Sequence, residues 1–161
     1  MRNISFSSEY SDGSVIMLAE FLPAINLEGL HWVAHCRWIS YWGQWPRDLL
    51  DYIHERENDV HPIEVEMIRR IASYPAQCIE VRFAGYRDKS DRWPELLFGI
   101  EDNYQWEIHY RDPARIDFAA LEKFSPFVEE NPWLAGKDGS ISPRLEYPFL
   151  RLENRESASG Y

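Results

Sequence analysis

Cysteine and long apolar runs are both scarce in this chain. Only Cys36 and Cys78 occur among its 161 residues, so the disulfide framework that holds small secreted domains together is absent. No stretch approaches the roughly 20 apolar residues that cross a bilayer as a helix. The first residues show neither the apolar core nor the small-residue cleavage site of a secretory signal. We therefore expect a cytoplasmic protein without a membrane-spanning segment, in which both thiols are buried.

The motifs of common nucleotide-binding and catalytic sites are missing as well. Neither of the phosphate-binding patterns GxGxxG and GxxxxGK[ST] occurs, and the serine motif GxSxG and the HExxH order of metallopeptidases are also absent. The sequence therefore predicts no bound cofactor and identifies no catalytic residue.

His31, His35 and Cys36 are the residues closest to a metal-binding pattern. On a helix, two histidines four residues apart would lie together and form part of a metal site. The apolar and aromatic alternation around them favours a strand instead, where they are about 13 Å apart at roughly 3.3 Å per residue. We therefore expect no metal site and interpret these histidines as structural or surface residues.

Positive charge is under-represented. The chain has 27 acidic and 17 basic residues, a formal net charge of -10. Such an excess opposes binding to the phosphates of nucleic acid and attracts a cationic partner. Apolar residues still make up 45% of the chain and aromatic residues 15%, enough for one folded core at this length. We predict a cationic protein partner, no nucleic acid and no membrane.

The first 21 residues favour a β-hairpin. Candidate strands at 3–10 and 15–21 flank Asp12-Gly13, a strong turn signal because glycine adopts positive φ at little cost. The second arm is also compatible with a helix.

Periodicity and turn residues predict the elements that follow. Period-two alternation indicates strands, apolar residues spaced three and four apart indicate helices, and proline marks helix ends. The predicted elements are a strand over 30–42, a helix from Pro46, a helix from near Pro62 to Pro75, strands over 77–86, 96–101 and 104–111, and a helix after Asp112-Pro113.

Together these elements predict a single α+β domain over residues 1–155. Its antiparallel sheet consists of the N-terminal hairpin and the 77–111 meander, and the helices pack on one face. The residues from Asn131 onward are rich in proline and glycine and predict extended chain. Residues 156–161 are small and polar, which indicates a disordered C-terminal tail.

Carboxylates are concentrated in two places. The first is the segment from His54 to Glu66, and the second is the hairpin around the Asp102 turn, where Glu107 and His109 share a polar stripe. Carboxylates beside histidines are ingredients of acid–base catalysis, but they are also typical of solvated loops and of protein contacts. The predicted contact residues are Glu55, Glu57, Asp59, Glu64, Glu66, Glu101 and Asp102.

Aromatic residues are dense around the end of the 30–42 strand. Trp38, Tyr41, Trp42 and Trp45 fall within eight residues, more than one strand face needs. Tryptophan and tyrosine are enriched at binding hot spots because they present large, rigid areas. We therefore add Trp42 and Trp45 to the predicted contact residues, with burial in the core as the alternative.

The function favoured by these features is protein binding. A single acidic domain without a catalytic motif or a signal sequence resembles, at the level of class, the immunity proteins that neutralise cationic bacterial toxins such as nucleases. Carboxylates would block the toxin's cationic active-site surface and aromatic anchors would slow dissociation. Two alternatives stay open: a small hydrolase or transferase that uses glutamate and histidine, and a non-catalytic subunit of a larger assembly.

Overall fold

A computed structural model describes residues 1–41, 43–57, 59–74, 76–101, 105–130 and 149, with the backbone alone at 37–41, 76–79, 101 and 129–130. In these ranges the chain forms a seven-stranded antiparallel sheet with helices beside it. In chain order the strands are β1 (Arg2–Ser7), β2 (His31–Tyr41), β3 (Val60–Ile63), β4 (Ala76–Tyr86), β5 (Leu96–Glu101), β6 (Gln105–Tyr110) and β7 (Phe127–Glu130). Across the sheet their order is β3-β2-β4-β5-β6-β1-β7.

The helices are short. They are α1 (Leu18–Phe21), α2 (Arg47–Glu55), α3 (Val65–Ala72) and α4 (Phe118–Leu121), with 3-10 turns at Leu22–Ala24, Pro113–Arg115 and Glu122–Phe124. None of the helices in the described ranges is both long and apolar enough to cross a membrane.

Alternate residues of each strand face the helices and form the core. One row across the sheet runs from Ile4 through Ile108, Phe98 and Phe83 to Ala34, each opposite the next in the register. All five are fully buried, as expected for the inward face of strands with period-two alternation. The same cluster contains Leu49 and Ile53 of α2 and Ile68 and Ile71 of α3. The predicted α+β class, with helices on one face of an antiparallel sheet, is therefore confirmed.

The other face of the sheet is more polar. A small apolar cluster there joins Val33, Ala84, Tyr86 and Leu97 to Phe149. Polar side chains follow on the neighbouring strands, where Asn3 lies opposite His109 and Ser5 opposite Glu107.

The N-terminal hairpin forms only around its turn. β1 pairs with β6 and β7, and a single bridge between Glu9 and Val15 is what forms of the hairpin. The turn itself is present, with Gly13 at φ +82°. The second arm is helical, as the alternative allowed, because the Met17 N–H donates to Glu20 Oε2 at 2.8 Å and caps α1.

The helix predicted from near Pro62 begins later. Pro62 lies in β3 opposite Val33, and α3 starts at Val65. An edge strand tolerates proline because half of its N–H groups have no partner strand. The buried residues Ile68 and Ile71 confirm the later part of the helical pattern.

The last described segment also differs from expectation. The helix after Asp112-Pro113 is broken into two 3-10 turns and the single turn α4, and β7 was not predicted. The predicted tail 156–161 and most of the extended chain after Asn131 lie outside the described residues.

Candidate functional site

The amphipathic pattern of α2 directs its carboxylates outward. Leu49 and Ile53 are buried in the core, and the acidic residues Asp48, Asp51 and Glu55 of α2 are exposed. Glu55 ends the helix, and Glu57 and Asp59 follow in the connection to β3. Glu55, Glu57 and Asp59, three of the predicted contact residues, are exposed and lie together at the end of α2.

The edge strand β3 divides the predicted acidic segment in two. Glu55, Glu57 and Asp59 precede β3, whereas Glu64 and Glu66 follow it at the start of α3. Four strand residues span about 13 Å at roughly 3.3 Å per residue. The acids therefore form two clusters at opposite ends of β3. We call the exposed carboxylates of residues 47–74, with the arginines among them, the acidic surface.

Every arginine of the acidic surface is bound to a carboxylate. Arg47 Nε lies 3.8 Å from Asp51 Oδ2 and Arg56 Nη1 lies 3.2 Å from Glu55 Oε2. On α3, Arg70 Nη2 lies 2.8 Å from Asp48 Oδ2 of α2, and Arg69 contacts both Glu66 and Glu28. The hydrogen bond from Arg70 lowers the pKa of Asp48.

The surface keeps a negative charge after this pairing. Residues 47–74 contain seven carboxylates and four guanidinium groups. Glu57 and Glu64 are exposed and form no ion pair within the part of the chain that the structure describes. Glu57 and Glu64 are therefore available to an external cation.

The other predicted contact residues do not join this surface. Glu101 ends β5, and β2 and β4 lie between β5 and β3, a separation of about 14 Å at roughly 4.8 Å per strand. Asp102 and Trp42 lie outside the described residues. Trp45 is 8% exposed and packs on the ring of Tyr74 at 5.3 Å. Because Trp45 belongs to the core, we leave it out of the contact surface.

His61 belongs to the segment 54–66, which the sequence identifies as a cluster of carboxylates and histidines, and the structure buries it. It lies on β3 with its ring 5.6 Å from the ring of Tyr52, and the guanidinium of Arg56 stacks 4.3 Å from that same tyrosine ring. Nδ1 is 3.2 Å from the Asp59 carbonyl oxygen, and Nε2 has no hydrogen-bond partner among the described residues. Burial lowers the pKa of His61. A histidine on an edge strand gives no sequence signal of burial, because α2 covers it only in the fold.

Glu107 and His109 meet on the polar face of the sheet, as their shared parity predicts. Glu107 Oε2 lies 3.0 Å from His109 Nε2, and Gln105 Nε2 donates to Glu107 Oε1 at 3.1 Å. These bonds, that of His109 first, lower the pKa of Glu107. A carboxyl group with a lowered pKa is a weaker base, so the arrangement stabilises the ionised glutamate rather than preparing it to accept a proton.

Metal ligands do not cluster in the described ranges. No group of three histidine, cysteine or acidic side chains lies there in an arrangement that could hold a metal ion. Comparison of the chain with family models, curated proteins and solved structures found no match. The function is therefore argued from the residues themselves.

Proposed function

We propose that this protein is a binding module whose acidic surface engages a cationic protein. The observation that carries the proposal is that Arg47, Arg56, Arg69 and Arg70 are all ion-paired with carboxylates of this chain. These arginines therefore do not neutralise the carboxylates that stay unpaired. The exposed carboxylates without such an ion pair in the described part of the chain are Glu57, in the connection from α2 to β3, and Glu64, directly before α3.

Electrostatic steering is the physical basis of this function. Carboxylates on one surface attract a cationic partner over roughly 8 to 10 Å at physiological ionic strength and raise the association rate. The partner class that fits is a protein with a cationic groove, such as a basic nuclease toxin. An acidic domain lying in that groove would exclude the phosphates of its substrate, in the manner of an immunity protein.

The decisive experiment changes charge locally while keeping the net charge matched. We expect E57K with E64K to lower the association rate for a cationic partner at least about tenfold at low salt. The control is E9K with E122K, which changes the net charge equally at exposed positions outside the acidic surface. Stopped-flow association with the product of the neighbouring reading frame measures both variants over a salt series.

The immunity role has a separate readout. Co-expression should restore the growth of cells that produce the cationic partner, and E57K with E64K should weaken this rescue. Equal association rates for the two double variants would contradict the local acidic surface, and an association rate that does not change with salt would contradict steering.

A further inference from the structure

A histidine lies in the interior where α2 meets the edge strand β3. His61 is 9% exposed and lies directly opposite Ala34 of β2 in the register. Opposite residues of an antiparallel pair share a face of the sheet, and Ala34 belongs to the core that the helices cover. The ring of Tyr52 on α2 is 5.6 Å from the His61 ring, with the two planes at 75°. His61 is therefore enclosed between the sheet and α2.

The hydrogen bond of the His61 ring determines which nitrogen lacks a proton. Nδ1 lies 3.2 Å from the Asp59 carbonyl oxygen. A carbonyl oxygen only accepts, so the neutral ring carries its proton on Nδ1 and a lone pair on Nε2. Nε2 is buried and has no hydrogen-bond partner among the described residues. Protonation would therefore put a charged N–H in the interior with no described acceptor, which is costly.

The neighbouring side chains of α2 and β2 do not stabilise such a charge. Arg56 of α2 donates from Nη1 to the Tyr52 carbonyl oxygen at 3.2 Å, and its positive charge disfavours an imidazolium at His61. On β2, His35 also disfavours that charge. Burial raises the pKa of the Cys36 thiol to about 12, so this group is neutral.

Asp59 acts in the opposite direction. Its carbonyl oxygen and its carboxylate both favour the imidazolium, but burial disfavours it more strongly, so the pKa of His61 is lowered. Asp59 also lies in the connection from α2 to β3, the segment that would have to move if the ring became hydrated.

Few bonds hold β3 and this connection in place. β3 has four residues and pairs with β2 alone, and its residue Pro62 has no N–H to donate. In the connection, the Asp59 N–H donates to the Arg56 carbonyl oxygen at 3.1 Å and the Glu57 N–H to that of His54 at 3.4 Å. Segments with so few contacts open at a lower free energy than the central strands of a sheet.

We propose that His61 is an acid-sensitive switch: when its ring gains a proton, β3 and the connection before it separate from β2 and α2 while the other strands stay paired. In the open state water solvates the imidazolium, so protonation and opening favour each other. The closed state takes the proton at a lower pH than the open state, whose histidine has the ordinary pKa of 6.5. The population of the open state should therefore rise as pH falls below 6.5, by up to about tenfold per pH unit.

Amide hydrogen exchange separates this local opening from global unfolding. Exchange through a local opening does not accelerate in low urea, whereas exchange through global unfolding does. We expect urea-independent exchange in β3 that becomes up to about tenfold faster per pH unit below 6.5, after correction for the intrinsic rate. The amides of Phe98 in β5 and Ile108 in β6 should keep their dependence on urea at every pH.

Two variants assign the switch to His61. H61Q keeps a side-chain N–H for the Asp59 carbonyl oxygen but cannot gain a charge, so urea-independent exchange in β3 should lose its acid dependence. H54Q makes the same replacement at an exposed histidine of α2 and should retain it. Amide spectra show whether each variant is folded, and H61F replaces H61Q if the glutamine variant is not.

Three results would overturn the switch. Exchange in β3 that accelerates with urea at every pH would mean that β3 opens only with the whole domain. An acid dependence that persists without His61 would assign the opening to another group. The ring protons of His61 give a third, independent measurement by NMR titration of the natural sequence: protonation at or above pH 6.5 with β3 still protected would show that the closed state accommodates the charge.

Discussion

His61 shows how a single residue acquires properties that its neighbours in sequence do not reveal. Its ring lies between β3 and α2, near Tyr52, Arg56 and the carbonyl group of Asp59. Burial and the nearby Arg56 both disfavour the charged imidazolium, although Asp59 partly offsets them. The folded state therefore holds this histidine neutral below the pH at which an exposed histidine gains its proton.

This environment predicts a loss of stability in mild acid. The folded pKa of His61 is below the unfolded value of 6.5, so the unfolded chain binds the extra proton first as pH falls. The free energy of unfolding should therefore decrease as pH drops below about 6.5 and through the folded pKa. Urea titrations across this range measure the slope.

The matched variants for this test are H61F and H54F. H61F should flatten the slope because it removes the buried titrating group, while H54F replaces an exposed histidine on α2 and should leave the slope in place. An unchanged slope in H61F would show that another group causes the acid sensitivity.

Patterns of a few residues predicted four strands of the sheet. β4 and β6 were predicted because apolar and polar residues alternate in them, and β2 and β5 because they are apolar runs next to turn residues. β7 was missed because its four residues pair with β1, more than 120 positions away, and no local pattern reports such a partner. The N-terminal hairpin is shorter than predicted for the same reason: β1 forms its hydrogen bonds with β6 and β7 rather than with the adjacent segment.

Phe124, which precedes β7, and Phe127, its first residue, differ strongly in burial. Phe124 is 6% exposed and stacks on Phe6 at 5.0 Å, whereas Phe127 is 65% exposed. F124A should lower the free energy of unfolding by about 3 to 5 kcal/mol because it leaves a cavity in the core. F127A should change it by less than about 0.5 kcal/mol. Chemical denaturation measures the free energy of unfolding of both variants. Equal effects would contradict the burial of Phe124 and the exposure of Phe127.

At the scale of the whole molecule, the charge of -10 opposes folding as well as attracting cations. Like charges are closer together in the folded state, so their repulsion costs stability that salt restores by screening. The free energy of unfolding should therefore rise with sodium chloride from low to physiological concentration. Thermal denaturation over a salt series checks this.

A charge-reduced variant controls for ordinary salt effects. E57Q with E64Q removes two carboxylates that form no ion pair in the described part of the chain, so its stability should rise less steeply with salt than that of the natural sequence. A fall in stability with salt would mean instead that the exposed ion pairs, such as Arg70 with Asp48, outweigh the net repulsion.

The division between sequence and tertiary structure follows from the range of the forces involved. Composition and short-range periodicity determined the α+β class, the excess of negative charge and the solvent-facing position of Glu55, Glu57 and Asp59, because each depends on neighbouring residues. Only the tertiary structure decided that β3 separates these acids from Glu64 and Glu66, and that the arginines of the acidic surface are all ion-paired. It also placed α1 and α3 on either side of a cavity of about 390 Å³, since contacts between segments far apart in the chain depend on how the whole sheet is assembled.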